Sequence, residues 1–153
     1  MDDQPVPMTA AGRADIEAEY EHLVTVRRAE IAAQIGAAAD DGDLSENAAY
    51  DHAKEEQARV EGRIAALARL RRHAVLIEQP RGGVVQLGST VTVEQDGARD
   101  TYTILGRLES APAQGRISNE SPLGRALLSH RAGDRVEVRT PSGPRTVLIL
   151  AVH

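Results

Sequence analysis

A chain of 153 residues holds one ordinary domain or two small ones, and without cysteine it carries neither disulfides nor thiolate zinc sites. Phe and Trp are absent and aromatics make up 2% of the residues, which calls for thin aliphatic cores and argues against base-stacking platforms. A net charge of −5 excludes free-standing nucleic-acid binding by bulk electrostatics. The charge is uneven: residues 1–78 carry nine basic against sixteen acidic side chains, a balance of −7, while residues 79–153 carry nine against seven, a balance of +2. Such asymmetry points to two domains with separate jobs.

The opening "MDDQPVPMTAAG" has acids and prolines where a signal peptide needs a basic and then an apolar run. No apolar stretch approaches the roughly 20 residues that span a bilayer. The expectation is a soluble protein of the reducing cytoplasm, with no membrane partner.

Thr9 follows Pro7 and precedes a long proline-free stretch, which makes it a reasonable N-cap. Ile16, Tyr20, Leu23, Arg27, Ile31, Ile35 and Ala38 then recur at spacings of three or four, which predicts a first helix over about 9–39. Ala53, Gln57, Val60, Ile64, Leu67, Arg71 and Ala74 follow the 4-3 alternation of a coiled-coil seam, predicting a second helix over about 45–74. Only "DDGD" separates the two, so they form an antiparallel hairpin. Roughly 30 residues of helix project about 45 Å.

After "IEQPRGG" the pattern changes to period two. Val91 and Val93 alternate with polar residues, Asp96-Gly97 marks a hairpin turn, and Tyr102 and Ile104 continue the alternation. "SPLGRALLSHRAG" reads as a short helix with Ser121 as N-cap, Pro122 at its first position and Gly133 closing it. "DRVEVRT" and "RTVLILAV" are two more strands around Pro141-Ser142-Gly143-Pro144. The expected fold class is α+β: a hairpin over 1–77 with an acidic tip at 40–47, a linker over 78–84, and a small antiparallel sheet domain with one helix over 85–153.

Four carboxylates, Asp40, Asp41, Asp43 and Glu46, crowd the reversal "DDGDLSENAAY". Asp43 followed three positions later by Glu46 is a capping box, and acids in a first helical turn complement the dipole. Capping needs one or two acids rather than four, and no body of the same chain sits at the end of a 45 Å arm to neutralise them. Carboxylate oxygens without His or Cys suit a hard ion such as Mg²⁺, but two are too few to hold it alone. The remaining ligands would come from a partner's site.

"GDLSENAAYDHAKEEQARVEGRIAAL" resembles the tip and second helix of the GreA/GreB transcript-cleavage factors of bacterial RNA polymerase, and "SPLGRALLSHRAGDRVEVRTPSG" and "MTAAG" extend the resemblance over nearly the whole chain. It implies an N-terminal antiparallel coiled coil and an FKBP-like C-terminal domain. The implied partners are bacterial RNA polymerase, entered through its secondary channel, and the nascent RNA 3′ end; the chain is expected to act as a monomer. By resemblance, Asp43 and Glu46 are the two acids that assist the polymerase-bound Mg²⁺ in cleaving backtracked RNA, and no cofactor is held stably by this chain alone. Asp41, Asn47 and Tyr50 support the tip. Lys54 and Arg59 are RNA-contact candidates, with intrahelical pairing to Tyr50 and Glu55 as the structural alternative. Polymerase docking falls on Ser121, Pro122, Leu123 and Gly124. Ser45 stands where many members carry a basic residue, and Ala49 where many carry an acid.

The chain is not expected to be a complete enzyme. Five scattered histidines form no ligand motif, and no nucleotide-binding, hydrolase or zinc-protease signature is present. Prolyl isomerase activity needs an aromatic pocket, and residues 79–153 contain only Tyr102. The rival readings are a channel-occupying regulator that binds polymerase without promoting cleavage, and a hairpin adaptor unrelated to transcription.

Overall fold

The computed structural model describes residues 4–41 and 47–153. They form two compact units: residues 13–74, and residues 5–12 together with 75–153. Among the described residues no helix is long and apolar enough to cross a membrane.

Strand β1 (Val6–Met8) precedes helix α1 (Ala10–His22), which runs through a π-helical segment (Leu23–Arg27) into α2 (Arg28–Asp40). The sequence predicts one uninterrupted helix here, and its own spacing explains the difference. Leu23, Arg27, Ile31 and Ile35 are each four apart, a run that overshoots the α-helical period and locally unwinds the helix. Thr25 adds to the distortion, its Oγ1 donating to the Glu21 carbonyl at 2.6 Å and so competing for the backbone ladder. The start at Thr9 is as expected, with the Gly12 N–H donating to Thr9 Oγ1 at 3.0 Å.

Helix α3 (Ala48–His73) starts about three residues later than the sequence predicts, and its N-cap is Asn47. Its seam is as patterned: Ala53, Val60, Ile64 and Leu67 are buried. Ile31, Val60 and Ile64 form the small core of this unit, with Tyr20, Leu23, Val24 and Ile35 packed around them. At about 1.5–3 kcal/mol per buried aliphatic side chain, that core is modest. Ion pairs between α1–α2 and α3 supplement it: Glu17–Arg71, Glu19–Arg63, Arg27–Glu56 and Arg28–Glu61. Glu17 pairs with Arg71 at one end and Arg27 with Glu56 further along, the opposed order of an antiparallel hairpin.

The second unit carries strand β2 (Ala74–Leu76), which pairs with β1. Pro7 in the middle of β1 hides this strand from sequence reading, because proline normally demotes a strand. A five-stranded sheet follows, ordered β5-β4-β3-β7-β6, from β3 (Thr90–Gln95), β4 (Ala98–Leu105), β5 (Arg116–Ser118), β6 (Arg135–Thr140) and β7 (Gly143–Val152). The β3–β4 hairpin turns at Asp96 and Gly97, both with positive φ (51° and 79°), as the tight primed turn requires. The sheet is mixed rather than purely antiparallel. Strand β5 pairs parallel to β4, reached by a crossover over residues 106–115 that holds two 3₁₀ turns.

Helix α4 (Pro122–Leu127) packs on the inner face through Leu127, over Val91, Val93, Ile104, Ile117, Val136, Val138, Val147 and Ile149. The opposite face of the β3–β4 pair carries threonines, Thr90 against Thr103 and Thr92 against Thr101, whose hydroxyls meet at 3.1 and 3.3 Å.

Candidate functional site at the hairpin end

Along the shaft of the hairpin, four carboxylates, Glu17, Glu19, Glu56 and Glu61, each meet an arginine of the facing helix. Arg28 and Glu61 pair through two bonds of 2.7 Å, and Arg63 and Glu19 through bonds of 2.6 and 2.8 Å. These fork-shaped contacts hold Glu61 and Glu19 below the usual carboxylate range, chiefly by hydrogen bonding and secondly by charge. Glu17 is lowered in the same way by Arg71, whose guanidinium also lies 4.1 Å from the Tyr20 ring centroid. Glu56 is lowered by Arg27 first and by Arg59 as well.

Toward the reversal the pattern stops. From residue 29 to residue 53 the chain has no Lys or Arg, while Glu30, Asp40, Asp41, Asp43, Glu46 and Asp51 all fall in that interval. Asp40 and Asp41 are exposed at the end of α2, and Asp51 is exposed in the first turn of α3. Among the described residues, none of these three carboxylates has an ion-pair partner. Sequence reading passes over Asp51 only because it lies beyond the crowded segment; its exposed first-turn position marks it as part of the same anionic end. Asp43 and Glu46, with their capping box, lie outside the described residues.

Asn47 closes this end. Its side-chain oxygen accepts the Tyr50 N–H at 3.0 Å, while its Nδ2 donates to the Ala38 carbonyl at 2.7 Å. One amide therefore caps the start of α3 and ties it to the last turn of α2, satisfying orphan groups on both helices. Tyr50 is half-buried beside it. Ala38 and Ala53 are buried and small, which suits the close approach of the two helices.

Lys54 is exposed and donates to Gln57 Oε1 at 3.0 Å, and Arg59 pairs with Glu56 Oε2 at 2.7 Å rather than with Glu55. Glu56 is also held by Arg27, so Arg59 is the outer member of a shared pair and is 65% exposed. Lys54 has no acidic partner among the described residues.

In the second unit, Ser121 Oγ accepts the Gly124 N–H at 3.1 Å and donates to the Ser118 carbonyl at 2.6 Å, so it caps α4 and pins it to β5. Pro122 occupies the first helical position, where no N–H is needed. Leu123 packs against the core. Gly124 is buried, and a Cβ there would fall far inside contact with the Ser118 carbonyl oxygen. All four residues thus have an architectural task that shapes the surface around β5 and α4.

The described donors at the hairpin end are the carboxylate oxygens of Asp40, Asp41 and Asp51, which fit a hard divalent ion. Among the described residues no three His, Cys, Asp or Glu side chains gather closely enough to enclose a metal. The chemistry such an end can do is to bring unneutralised carboxylates to a cation held elsewhere.

Comparison with known proteins gives this geometry a family. Residues 6–75 match the family described as "Transcription elongation factor, N-terminal", and residues 79–153 match "Transcription elongation factor, GreA/GreB, C-term". The chain is 52% identical over 151 residues to transcription elongation factor GreA of Thermomicrobium roseum, covering 97% of each chain. It is 49% identical to that of Chloroflexus aggregans over the full length of both. Among solved structures, GreA factor homolog 1 of Thermus thermophilus is 31% identical, covering 98% of this chain and 99% of the other at a TM-score of 0.45. With both halves matched in order and relatives alike from end to end, the chain belongs to the GreA/GreB family of transcription elongation factors.

Proposed function

We propose that this elongation factor enters the secondary channel of bacterial RNA polymerase and stimulates Mg²⁺-dependent endonucleolytic cleavage of the RNA 3′ segment in backtracked complexes. The observation that carries the reading is the contrast in charge along the hairpin. Four carboxylates on the shaft, Glu17, Glu19, Glu56 and Glu61, are matched to arginines of the facing helix, whereas Asp40, Asp41 and Asp51 at the end have no ion-pair partner among the described residues. Leaving like charges together is costly unless a cation arrives from outside.

Asp43 and Glu46 are the residues assigned to assist the metal, with Asp41, Asn47 and Tyr50 holding the end in shape. Their carboxylates orient water and accept its proton; when bound, Mg²⁺ in the polymerase centre supplies a more acidic water and stabilises charge on the leaving oxygen. This chain contributes ligands and no complete active site, and it acts as a monomer in the cytoplasm. Lys54 is the better-placed RNA contact, because Arg59 is held by Glu56. The second unit docks at the polymerase surface through the region that Ser121–Gly124 shape.

The test is a backtracked polymerase complex with 3′-labelled RNA and Mg²⁺. Wild-type chain should release a short 3′ fragment, and Asp43→Ala or Glu46→Ala should abolish release while leaving polymerase binding and helicity nearly unchanged. Binding without release by the wild-type chain would make it a channel-occupying regulator instead.

A further inference from the structure

Lys54 is the only lysine in the chain; the other seventeen basic side chains are arginines. Five arginines of the hairpin, Arg27, Arg28, Arg59, Arg63 and Arg71, are each taken up by a carboxylate. Lys54 is exposed between Asp51 and Glu55, yet its ammonium donates to a neutral amide, Gln57 Oε1, at 3.0 Å. The positions four residues before and after it, where a helix places the usual acidic partner of a lysine, hold Tyr50 and Ala58.

Gln57 is out of pattern as well. It occupies the seam of α3 between Ala53 and Val60, both buried, where the 4-3 alternation calls for an apolar side chain. It is half-buried, and its side-chain oxygen accepts the Lys54 proton. Leucine at this position would pack better and leave Lys54 loose. Glutamate would hold the ammonium more strongly and cancel its charge. Glutamine fixes the ammonium, leaves the charge uncancelled, and leaves two of its three donors free.

We infer that Gln57 is a positioning residue that presents Lys54 to the phosphodiester backbone of RNA, an inference that rests on the reading that the hairpin end meets the extruded 3′ segment. A long flexible side chain must be ordered when it binds, and Gln57 does part of that ordering in advance. The compact ammonium then meets a phosphate oxygen as a point charge. Gln57 touches no RNA in this scheme; it acts through Lys54.

The test measures the dissociation constant of the full chain on two polymerase complexes, one backtracked and one not. The variants are Lys54→Ala, Gln57→Leu, Gln57→Glu and the Lys54→Ala/Gln57→Leu double variant. On the backtracked complex Lys54→Ala should weaken binding about tenfold, the contribution of one hydrogen bond to a charged group. It should also reduce the salt slope by about one, as loss of a single phosphate contact does. Gln57→Leu should weaken binding about threefold through the lost ordering, while raising the thermal midpoint of the hairpin. Gln57→Glu should weaken it as much as Lys54→Ala, because the ammonium is held but neutralised. The double variant should match Lys54→Ala alone, the non-additivity expected of two residues in one contact. None of the four should alter binding to the complex that is not backtracked.

Equal binding of Gln57→Leu and wild type to the backtracked complex would overturn the inference. So would a Gln57→Leu loss that persists in the Lys54→Ala background, which would make Gln57 a seam residue that sets register. Equal losses on both complexes would place the contact on protein rather than RNA and overturn it too. Cleavage is scored separately. A wild-type chain that shows the full binding pattern yet releases no fragment would sink the cleavage reading and leave the Lys54–Gln57 contact standing, whereas one that binds neither complex would overturn both.

Discussion

Replacing Asn47 by alanine removes two hydrogen bonds at once, and the structure allows the two to be separated. Loss of an Asn N-cap costs about 0.5–2 kcal/mol, and loss of the Nδ2 bond to the Ala38 carbonyl adds about 1 kcal/mol, the usual net contribution of one hydrogen bond. Asn47→Ala should therefore ease opening of the first turn of α3 by about 1.5–3 kcal/mol, a sum of those two ranges. Asn47→Asp keeps the acceptor for the Tyr50 N–H and gains from the helix dipole, but it cannot donate to Ala38. It should fall between wild type and alanine. Native-state hydrogen exchange is the assay, read at Tyr50, whose N–H reaches the Asn47 side chain, and at Asp51, whose N–H reaches the Asn47 carbonyl at 3.0 Å. Equal exchange in Asn47→Asp and wild type would limit the cross-helix bond to what the helix dipole returns, about 0.3–1 kcal/mol. If Asn47→Ala and wild type agree within about 0.5 kcal/mol, the low end of a cap's contribution, Asn47 does not close the hairpin end.

Two further expectations follow from packing and charge. Gly124→Ala forces a methyl group into the Ser118 carbonyl and should destabilise the second unit by about 1–3 kcal/mol, measured by urea unfolding; a neutral result would show that β5 and α4 can separate freely. Glu17, Glu19, Glu56 and Glu61 all titrate below their ordinary value of 4.5, so their stabilising contribution is present above that pH and is lost as pH falls through their lowered values. Hairpin helicity followed by circular dichroism should be level above about pH 5 and fall below about pH 4.5.

How much of this is legible in the sequence depends on whether a feature is written in local pattern. The 4-3 alternation of Ala53, Gln57, Val60, Ile64 and Leu67 is local, and four of those five side chains are buried in α3. The Asp96-Gly97 turn and the Ser121-Pro122 helix start are local as well, and each stands where the sequence puts it. Strand β1 is hidden by Pro7. The three residues of β5 are too short to alternate, and their parallel partner is set by the crossover before them. For Asn47, a plausible acid pair just upstream draws the capping assignment away from the residue that caps α3. The hydrogen bond from the Thr9 N–H to Glu109 joins positions 100 residues apart and leaves no periodic trace at all.

Matched ion pairs on the shaft make the acidic end more informative than a count of acids would. Two bidentate arginine pairs and the Arg71 contact match Glu61, Glu19 and Glu17 to cations where the two helices run side by side. Surface pairs of this kind add little stability one at a time, and their matching chiefly fixes register and suppresses repulsion. Against that background, an interval from residue 29 to residue 53 with six acids and no lysine or arginine is not what a general need for solubility would give. Capping does not explain it either, because Asn47, an uncharged residue, performs the capping of α3. What remains is a negative charge at Asp40, Asp41 and Asp51 that no ion pair among the described residues offsets, Glu30 alone of the described acids in the interval being paired, with Arg27. Such a charge makes chemical sense where the countercharge belongs to another molecule.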